Sequence, residues 1–311
     1  MVKVARKNIV NSINNKLLII SGPTATGKTK LAISLAKKFK GELISADSRQ
    51  IYQHLNIGTG KDHPKNIKIH LIDLIAPDKL FSVSEFQQLA FQKISEIKSQ
   101  NKLPIIVGGT GFYIDSIINP NKSTFHIKPN KIIRYFFSKL PLSFLQFFYK
   151  ILDQKNFNSL NNSEKNNPHR LIRKIEIKFS SKVINKNIFP KFNILHINLT
   201  APNIFLYSQI DKRVDSRLQL GLLKEIKNIL KKYSWSSPGL NTLAYKEFKN
   251  YFRKKSNLEE CIERWKFDEH AYARRQLTWF RKYKTSINID ITGKNYINNT
   301  KNLITKWYNK P

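Results

Sequence analysis

Apolar positions along the chain follow two periods. Short solid apolar runs occur at Leu17-Leu18-Ile19-Ile20, within Glu42-Leu43-Ile44-Ser45, across Leu103–Val107 and across Phe192–Leu199. Such runs predict strands covered on both faces, as in a parallel sheet. A third strand is expected within Ile67–Leu74. Between the runs the period is helical. Leu31, Leu35 and Phe39 share one face, and Gly41 is expected to stop that helix. Phe86, Leu89, Ala90, Ile94 and Ile97 recur through Ser82–Ser99, and Ser82 with Glu85 has the spacing of a capping box. Strands alternating with helices predict an α/β protein on a mostly parallel sheet. From Pro120 to Asn167 the chain is polar and aromatic and lacks glycine, which predicts a small helical insertion with loops. Leu171–Phe179 reads as a helix. After Pro202 the pattern is almost wholly helical, over Asn203–Lys232, Asn241–Arg253 and Leu258–Lys284, before one strand and one short helix. The expected organisation is a core begun by residues 1–118, an insertion at 119–167, and the remainder of the core with C-terminal helices at 168–311.

The first strand runs into Gly22-Pro23-Thr24-Ala25-Thr26-Gly27-Lys28-Thr29, which fits G-x-x-x-x-G-K-[ST] with a strand before it and a helix after it. Glycine lets successive backbone N–H groups converge, and the helix N-terminus adds partial positive charge. Lys28 supplies a full charge to phosphate oxygens, and Thr29 offers a hydroxyl to Mg2+. A P-loop NTPase-like core that holds a diphosphate or triphosphate is therefore expected. A nucleotide-hydrolysing switch normally also offers an apolar strand ending in aspartate. Here Pro104-Ile105-Ile106-Val107 ends in Gly108-Gly109-Thr110-Gly111, with no acid.

Composition changes this picture in three ways. Lys and Arg number 55 against 21 Asp and Glu, a formal net charge of +34. That charge permits a polyanionic partner, nucleic acid first, although a composition heavy in Lys, Asn and Ile carries the same charge without a binding role. The single cysteine, Cys261, can form neither an internal disulfide nor a cysteine zinc site, and the seven histidines show no metal-ligand spacing. No apolar run approaches the ~20 residues of a membrane span, and the basic start, Met1 to Lys16, lacks the apolar stretch of a secretory signal.

A second loop, Ser45-Ala46-Asp47-Ser48-Arg49-Gln50-Ile51-Tyr52, is followed by Asn56-Ile57-Gly58-Thr59-Gly60-Lys61 and Gly108-Gly109-Thr110-Gly111-Phe112-Tyr113. Further on come His70-Leu71-Ile72-Asp73, Asn167-Pro168-His169-Arg170-Leu171-Ile172-Arg173, Arg213-Val214-Asp215, Tyr245-Lys246-Glu247 and Arg275-Gln276-Leu277-Thr278-Trp279-Phe280-Arg281. With the phosphate loop, this ordered set closely resembles the tRNA dimethylallyltransferase family from about residue 17 to 284. Ala244 stands where that family usually has Gly, and residues 119–167 barely match.

The resemblance implies transfer of a dimethylallyl group from dimethylallyl diphosphate to the exocyclic amine of the adenosine beside the anticodon, with diphosphate leaving. Two rivals share the phosphate loop: a small-molecule or nucleoside kinase, and an adenylate isopentenyltransferase that acts on free nucleotide. By the same resemblance Asp47 is the general base, and Gly22 to Thr29 hold the diphosphate with Mg2+ at Thr29. Arg217 is the second cation and Arg213 a further candidate. On residues alone, Asp47 reads first as a cap or a structural ion-pair acid, and the surrounding motif reverses that. Arg213 and Arg217, four apart on one helical face, read equally as partners of Asp211 and Asp215. The resemblance assigns tRNA contacts to Asp47, Ser48, Arg49, Gln50 and Thr110. It adds His169, Arg170, Leu171, Ile172 and Arg173, then Asn241, Thr242, Leu243, Ala244, Tyr245 and Lys246. Arg274 and Arg281 are expected on an RNA-facing stripe, and Trp265 and Trp279 in the core. The partners implied are the tRNA anticodon stem-loop and the prenyl diphosphate, bound by a cytoplasmic monomer with no membrane association.

Overall fold

The structure is a computed structural model that describes residues 15–122, 125, 127, 129–180 and 189–310. The basic N-terminal residues 1–14 lie outside the described residues. Six parallel strands form one sheet in the order β3-β2-β4-β1-β5-β6. They are β1 (Lys16–Ser21), β2 (Gly41–Ser45), β3 (Ile69–His70), β4 (Leu103–Val107), β5 (Asn193–Thr200) and β6 (Ile287–Asp290). The phosphate-loop strand β1 is central, with Ile20 beside Val107 on one side and Ser21 beside Asn198 on the other. Its apolar run is solid because both faces are covered. Leu17 and Ile19 pack with Phe86, Ala90 and Ile94 of α2 (Val83–Ser99), whereas Leu18 and Ile20 pack with Leu31 and Leu35 of α1 (Lys28–Phe39). The capping box forms as spaced, with Ser82 accepting from the Glu85 amide and the Glu85 carboxylate accepting from the Ser82 amide.

Two expectations shift for backbone reasons. Gly41 does not stop α1. Lys40 takes the left-handed turn, and Gly41 opens β2, where an added Cβ would stand 2.8 Å from the Leu103 carbonyl. The strand expected over Ile67–Leu74 shrinks to Ile69–His70, because Leu71 and Asp73 adopt positive φ of 62° and 54° and turn the chain out of the ladder. That turn carries the Asp73 carboxylate to the buried ammonium of Lys61.

After α3 (Gly111–Ile118) comes the helical unit: α4 (Lys131–Phe137), α5 (Leu142–Leu152), α6 (Gln154–Asn158), α7 (Asn162–Lys165) and α8 (Pro168–Ser180). Its small core joins Leu145, Tyr149 and Leu160 to Leu171, Ile172 and Ile175 of α8. The unit therefore runs past residue 167 to Ser180, because the apolar face of α8 packs there. Fully buried Glu176 reinforces that packing through ion pairs with Arg134 and Arg173.

The helical stretch expected over Asn203–Lys232 breaks at Gly221, whose φ is 96°, into α9 (Asn203–Gln219) and α10 (Leu222–Ile229). A 3-10 turn (Pro238–Asn241) and two short helices, α11 (Leu243–Lys246) and α12 (Lys249–Phe252), lead to the long α13 (Leu258–Phe280). α13 lies along α9, with Ala273 and Trp265 in the same buried cluster as Ile210 and Val214. The final helix, α14 (Tyr296–Asn309), is longer than expected. The Lys16 ammonium donates to the Tyr308 carbonyl at 2.8 Å, satisfying its C-terminal end.

Candidate active site

The carboxyl ends of β1, β2 and β4 converge where parallel sheets carry their sites. A cavity of about 1200 Å³ opens there, lined by the phosphate loop, the loop after β2, the glycine turn after β4, and one face each of α9 and α13.

The phosphate loop needs its glycines. Gly22 has φ 139°, and a Cβ there would lie 2.4 Å from the Leu199 carbonyl; Gly27 has φ 71°. Thr26 closes the turn by donating to the Pro23 carbonyl at 2.9 Å, and the Lys28 ammonium donates to the same carbonyl. Thr24, Ala25, Gly27, Lys28 and Thr29 line the cavity, whereas Gly22, Pro23 and Thr26 shape the loop behind it. Burial pushes the Lys28 amine down to about 7; the neighbouring Arg213 adds to that effect and Asp47 opposes it.

Asp47 follows β2 into the same cavity, on the same side of the sheet as Lys28. Its turn is stapled to the one after β4. The Ala46 amide donates to Val107 at 2.8 Å, and the Thr110 amide donates to Ala46 at 3.1 Å. Gly108 permits this approach, since a Cβ there would meet the Ala46 carbonyl at 2.3 Å. One Asp47 oxygen accepts from the Arg49 amide at 2.9 Å, and Thr110 Oγ1 accepts from the Ser48 amide at 2.9 Å. Asp47 is thus a turn cap and a cavity-lining acid at once. Ser48, Arg49, Gln50 and Thr110 also line the cavity. The Gln50 side chain is engaged at both ends, accepting from Ser45 at 3.0 Å and donating to the Gly60 carbonyl at 3.2 Å.

The two arginines divide their work. Arg217 is 9% exposed and donates to the Gly58 carbonyl at 3.0 Å. It is packed so closely behind Gly60 that a Cβ there would lie 2.0 Å from its guanidinium. Burial, then the nearby Arg213, brings its pKa down to about 10. Arg213 meets the Glu269 carboxylate at 3.1 Å, while its Nε is buried with no acceptor among the described residues. The partners expected from helical spacing are taken elsewhere, because Asp211 pairs with His270 and Asp215 with Lys266. The acid that faces the arginines comes from α13, 56 residues beyond Arg213.

Of the expected tRNA contacts, Asn241, Thr242, Leu243 and Lys246 line the cavity. Ala244 and Tyr245 are fully buried and do not, a correction to their expected role. The Tyr245 hydroxyl donates at 2.7 Å to Glu225, whose carboxylate also accepts from the amides of Asn56, Ile57 and Gly58. A carboxylate seated in such a run of N–H groups locks the loop that holds Arg217. Leu171 and Ile172 are likewise corrected, since α8 turns them into the helical unit's core. His169 and Arg170 are exposed, and Arg173 is bound to Glu176 and to the Ile127 carbonyl; none of the three lines the cavity. Arg274 and Arg281 are exposed outside the cavity, and Arg274 donates to the Tyr207 hydroxyl at 2.7 Å.

Sequence reasoning gave no site role to Gln276, which accepts from the Thr24 amide at 2.8 Å and donates to the Gly109 carbonyl at 2.9 Å, tying both glycine turns to α13. Trp265 is fully buried as expected, but half-buried Trp279 lines the cavity over Gly111. Among the described residues no helix is long and apolar enough to cross a membrane, and no cluster of His, Cys, Asp and Glu could by itself hold a metal.

The family model described as IPP transferase matches residues 50–283. A curated tRNA dimethylallyltransferase of Acetivibrio thermocellus is 39% identical over 280 residues, covering 86% of this chain and 89% of its own length. One from a Roseiflexus species is 34% identical over 94% of this chain and 98% of its own. A solved tRNA isopentenylpyrophosphate transferase of Bacillus halodurans superposes with a TM-score of 0.71 at 32% identity, covering 94% of this chain and 97% of that one. A eukaryotic dimethylallyltransferase solved acting on tRNA gives 0.80 at 27% identity, covering 96% and 80%.

Proposed function

The chain belongs to the IPP transferase family, and from that premise we infer that it transfers a dimethylallyl group from dimethylallyl diphosphate to the exocyclic N6 amine of the adenosine 3′-adjacent to the anticodon of tRNA. The observation that carries the reading is the shared cavity: the Asp47 carboxylate and the Lys28 phosphate cradle line one space of about 1200 Å³. That volume admits a purine together with a short allyl chain.

The adenine amine is a poor nucleophile, because its lone pair is delocalised into the ring. Asp47 accepts the amine proton as the new C–N bond forms and the C–O bond to diphosphate breaks. Lys28, the loop amides and Arg213 stabilise the charge that builds on the leaving oxygens. Arg213 is the stronger candidate for direct contact, since its side chain lines the cavity and is 28% exposed, whereas that of Arg217 is 11% exposed and bound to the Gly58 carbonyl. Mg2+ would be held at Thr29, which lines the cavity beside Lys28; with no protein cage among the described residues, diphosphate oxygens and water would complete its shell and it would neutralise phosphate charge. The target base must leave its stack to reach Asp47, which costs least in a single-stranded loop. Ser48, Arg49 and Thr110 stand beside Asp47 to receive it, and the exposed His169, Arg170, Arg274 and Arg281 serve the RNA backbone. This activity belongs in the cytoplasm, with the tRNA pool. The ordered RNA-type motifs disfavour a kinase or a transferase for free nucleotide.

The test is incubation with labelled dimethylallyl diphosphate and three acceptors: tRNA, free AMP, and none. Label on tRNA alone is expected. Label on AMP, or ATP-dependent phosphoryl transfer alone, would sink the reading.

Lys28 gives the donor site a pH dependence. With the amine lowered to about 7, it is charged below that pH and increasingly neutral above it. A bound diphosphate favours the charged form. Affinity for the prenyl diphosphate is therefore expected to fall between pH 7 and 9, by at most about tenfold per unit. Calorimetry above pH 7 should also register proton uptake on binding. A flat profile without uptake would place Lys28 outside the anion site.

A further inference from the structure

Glu269 stands in the wall of the anion site, and the mechanism above leaves it unused. It is 6% exposed on α13, lines the cavity, and faces both arginines of α9. One oxygen lies 3.1 Å from the Arg213 guanidinium. The other lies 4.0 Å from that of Arg217 and accepts from the Trp265 indole at 3.3 Å. Two guanidiniums four residues apart on one helix face repel each other, and a buried carboxylate is tolerated only when cations and donors meet it. A single acid solves both problems. It also sits where an anion between two arginines would sit, at the edge of a cavity built for one.

We propose that Glu269 is an internal counter-anion of the diphosphate site: a positioning residue that holds the Arg213 guanidinium by one terminal nitrogen at the cavity wall and limits the site's charge so that the diphosphate product is released. The inference rests on the prenyl-transfer reading. Lys28, Arg213 and Arg217 line the cavity together with Asp47 and Glu269. Without Glu269 that balance moves one charge towards the cations. An added unit of net attraction at close range in a partly dry site strengthens anion binding by about tenfold or more. The gain applies to product as well as substrate, so it does not speed the chemistry. It slows the step in which diphosphate departs, and Arg213, freed at its far nitrogen, loses its fixed orientation.

The experiment uses the full chain, with inorganic diphosphate as an inhibitor of tRNA prenylation. For Glu269→Gln the inhibition constant of diphosphate is expected to fall about tenfold, with kcat and the KM for the prenyl donor both lowered. Glu269→Asp, which keeps the charge, should stay near the unsubstituted protein. An inhibition constant unchanged or raised in Glu269→Gln would overturn the proposal. Should that variant fail to melt cooperatively, Glu269→Ser is read in the same way. Unfolding of both neutral variants would make Glu269 a purely structural ion-pair acid and equally overturn the proposal. An unsubstituted protein that transfers no prenyl group and is not inhibited by diphosphate would instead sink the transferase reading itself.

Discussion

Asp47→Asn is expected to lower kcat for prenyl transfer by about 10²–10⁴-fold, the range that a positioned general base contributes, while tRNA affinity changes little. The amide is isosteric, and its oxygen still accepts from the Arg49 amide, so the cap on the turn survives. What is lost is the capacity to take a proton from the adenine amine. The turn itself is held independently by the Ala46 and Thr110 backbone bonds and by the Ser48 to Thr110 contact. A folding defect is therefore not expected, and the melting temperature should confirm that. Equilibrium binding to an anticodon stem-loop, measured beside single-turnover rates, separates the two roles. Loss of binding in parallel with rate would make Asp47 an RNA contact; an unchanged rate would remove it from the chemistry.

The second large effect discriminates between the arginines. Arg213→Gln is expected to lower kcat/KM by roughly 10²–10³-fold, as loss of one preorganised donor to a developing oxyanion does. Most of the loss should fall in kcat, because the negative charge it meets is greatest as the C–O bond breaks. Arg217→Gln should be milder in kcat/KM and harsher in stability. Its guanidinium is buried, and it holds the Gly58 carbonyl and the 58–60 loop, so its removal leaves buried polar groups unpaired. Kinetics and thermal melts on the two variants decide the matter. If Arg217→Gln shows the larger kinetic loss with an intact melt, the assignment reverses and Arg217 is the ligand contact.

The division between the arginines was illegible in the sequence. Helical spacing correctly put both on one face of α9, but it offered Asp211 and Asp215 as their partners. Those acids pair with His270 and Lys266 of α13. The true partner, Glu269, lies on α13 as well, and only the packing of α13 along α9 brings it there. Tyr245 has the same lesson with the opposite sign. The family resemblance assigns it to tRNA, yet it is wholly buried and its hydroxyl fastens Glu225 to the 56–58 amides. The motif marked an important residue and misdirected its role, since a motif records position and not the direction in which a side chain points.

The sequence by itself determined what is local. Solid apolar runs specified buried parallel strands, the glycine spacing specified the tight turn between β1 and α1, and Ser82 with Glu85 specified a helix start. Each depends on backbone geometry and on contacts within a few residues, so period and spacing suffice. The tertiary structure alone decided what joins distant segments: Gln276 bridging the phosphate loop and the glycine turn, Glu269 between the arginines, and α8 closing the core of the helical unit. Such contacts link residues tens to hundreds of positions apart, and no local pattern encodes which surfaces of two helices will meet. That choice follows from how the whole chain covers its apolar area, with the site's polar side chains carried to their partners as a consequence.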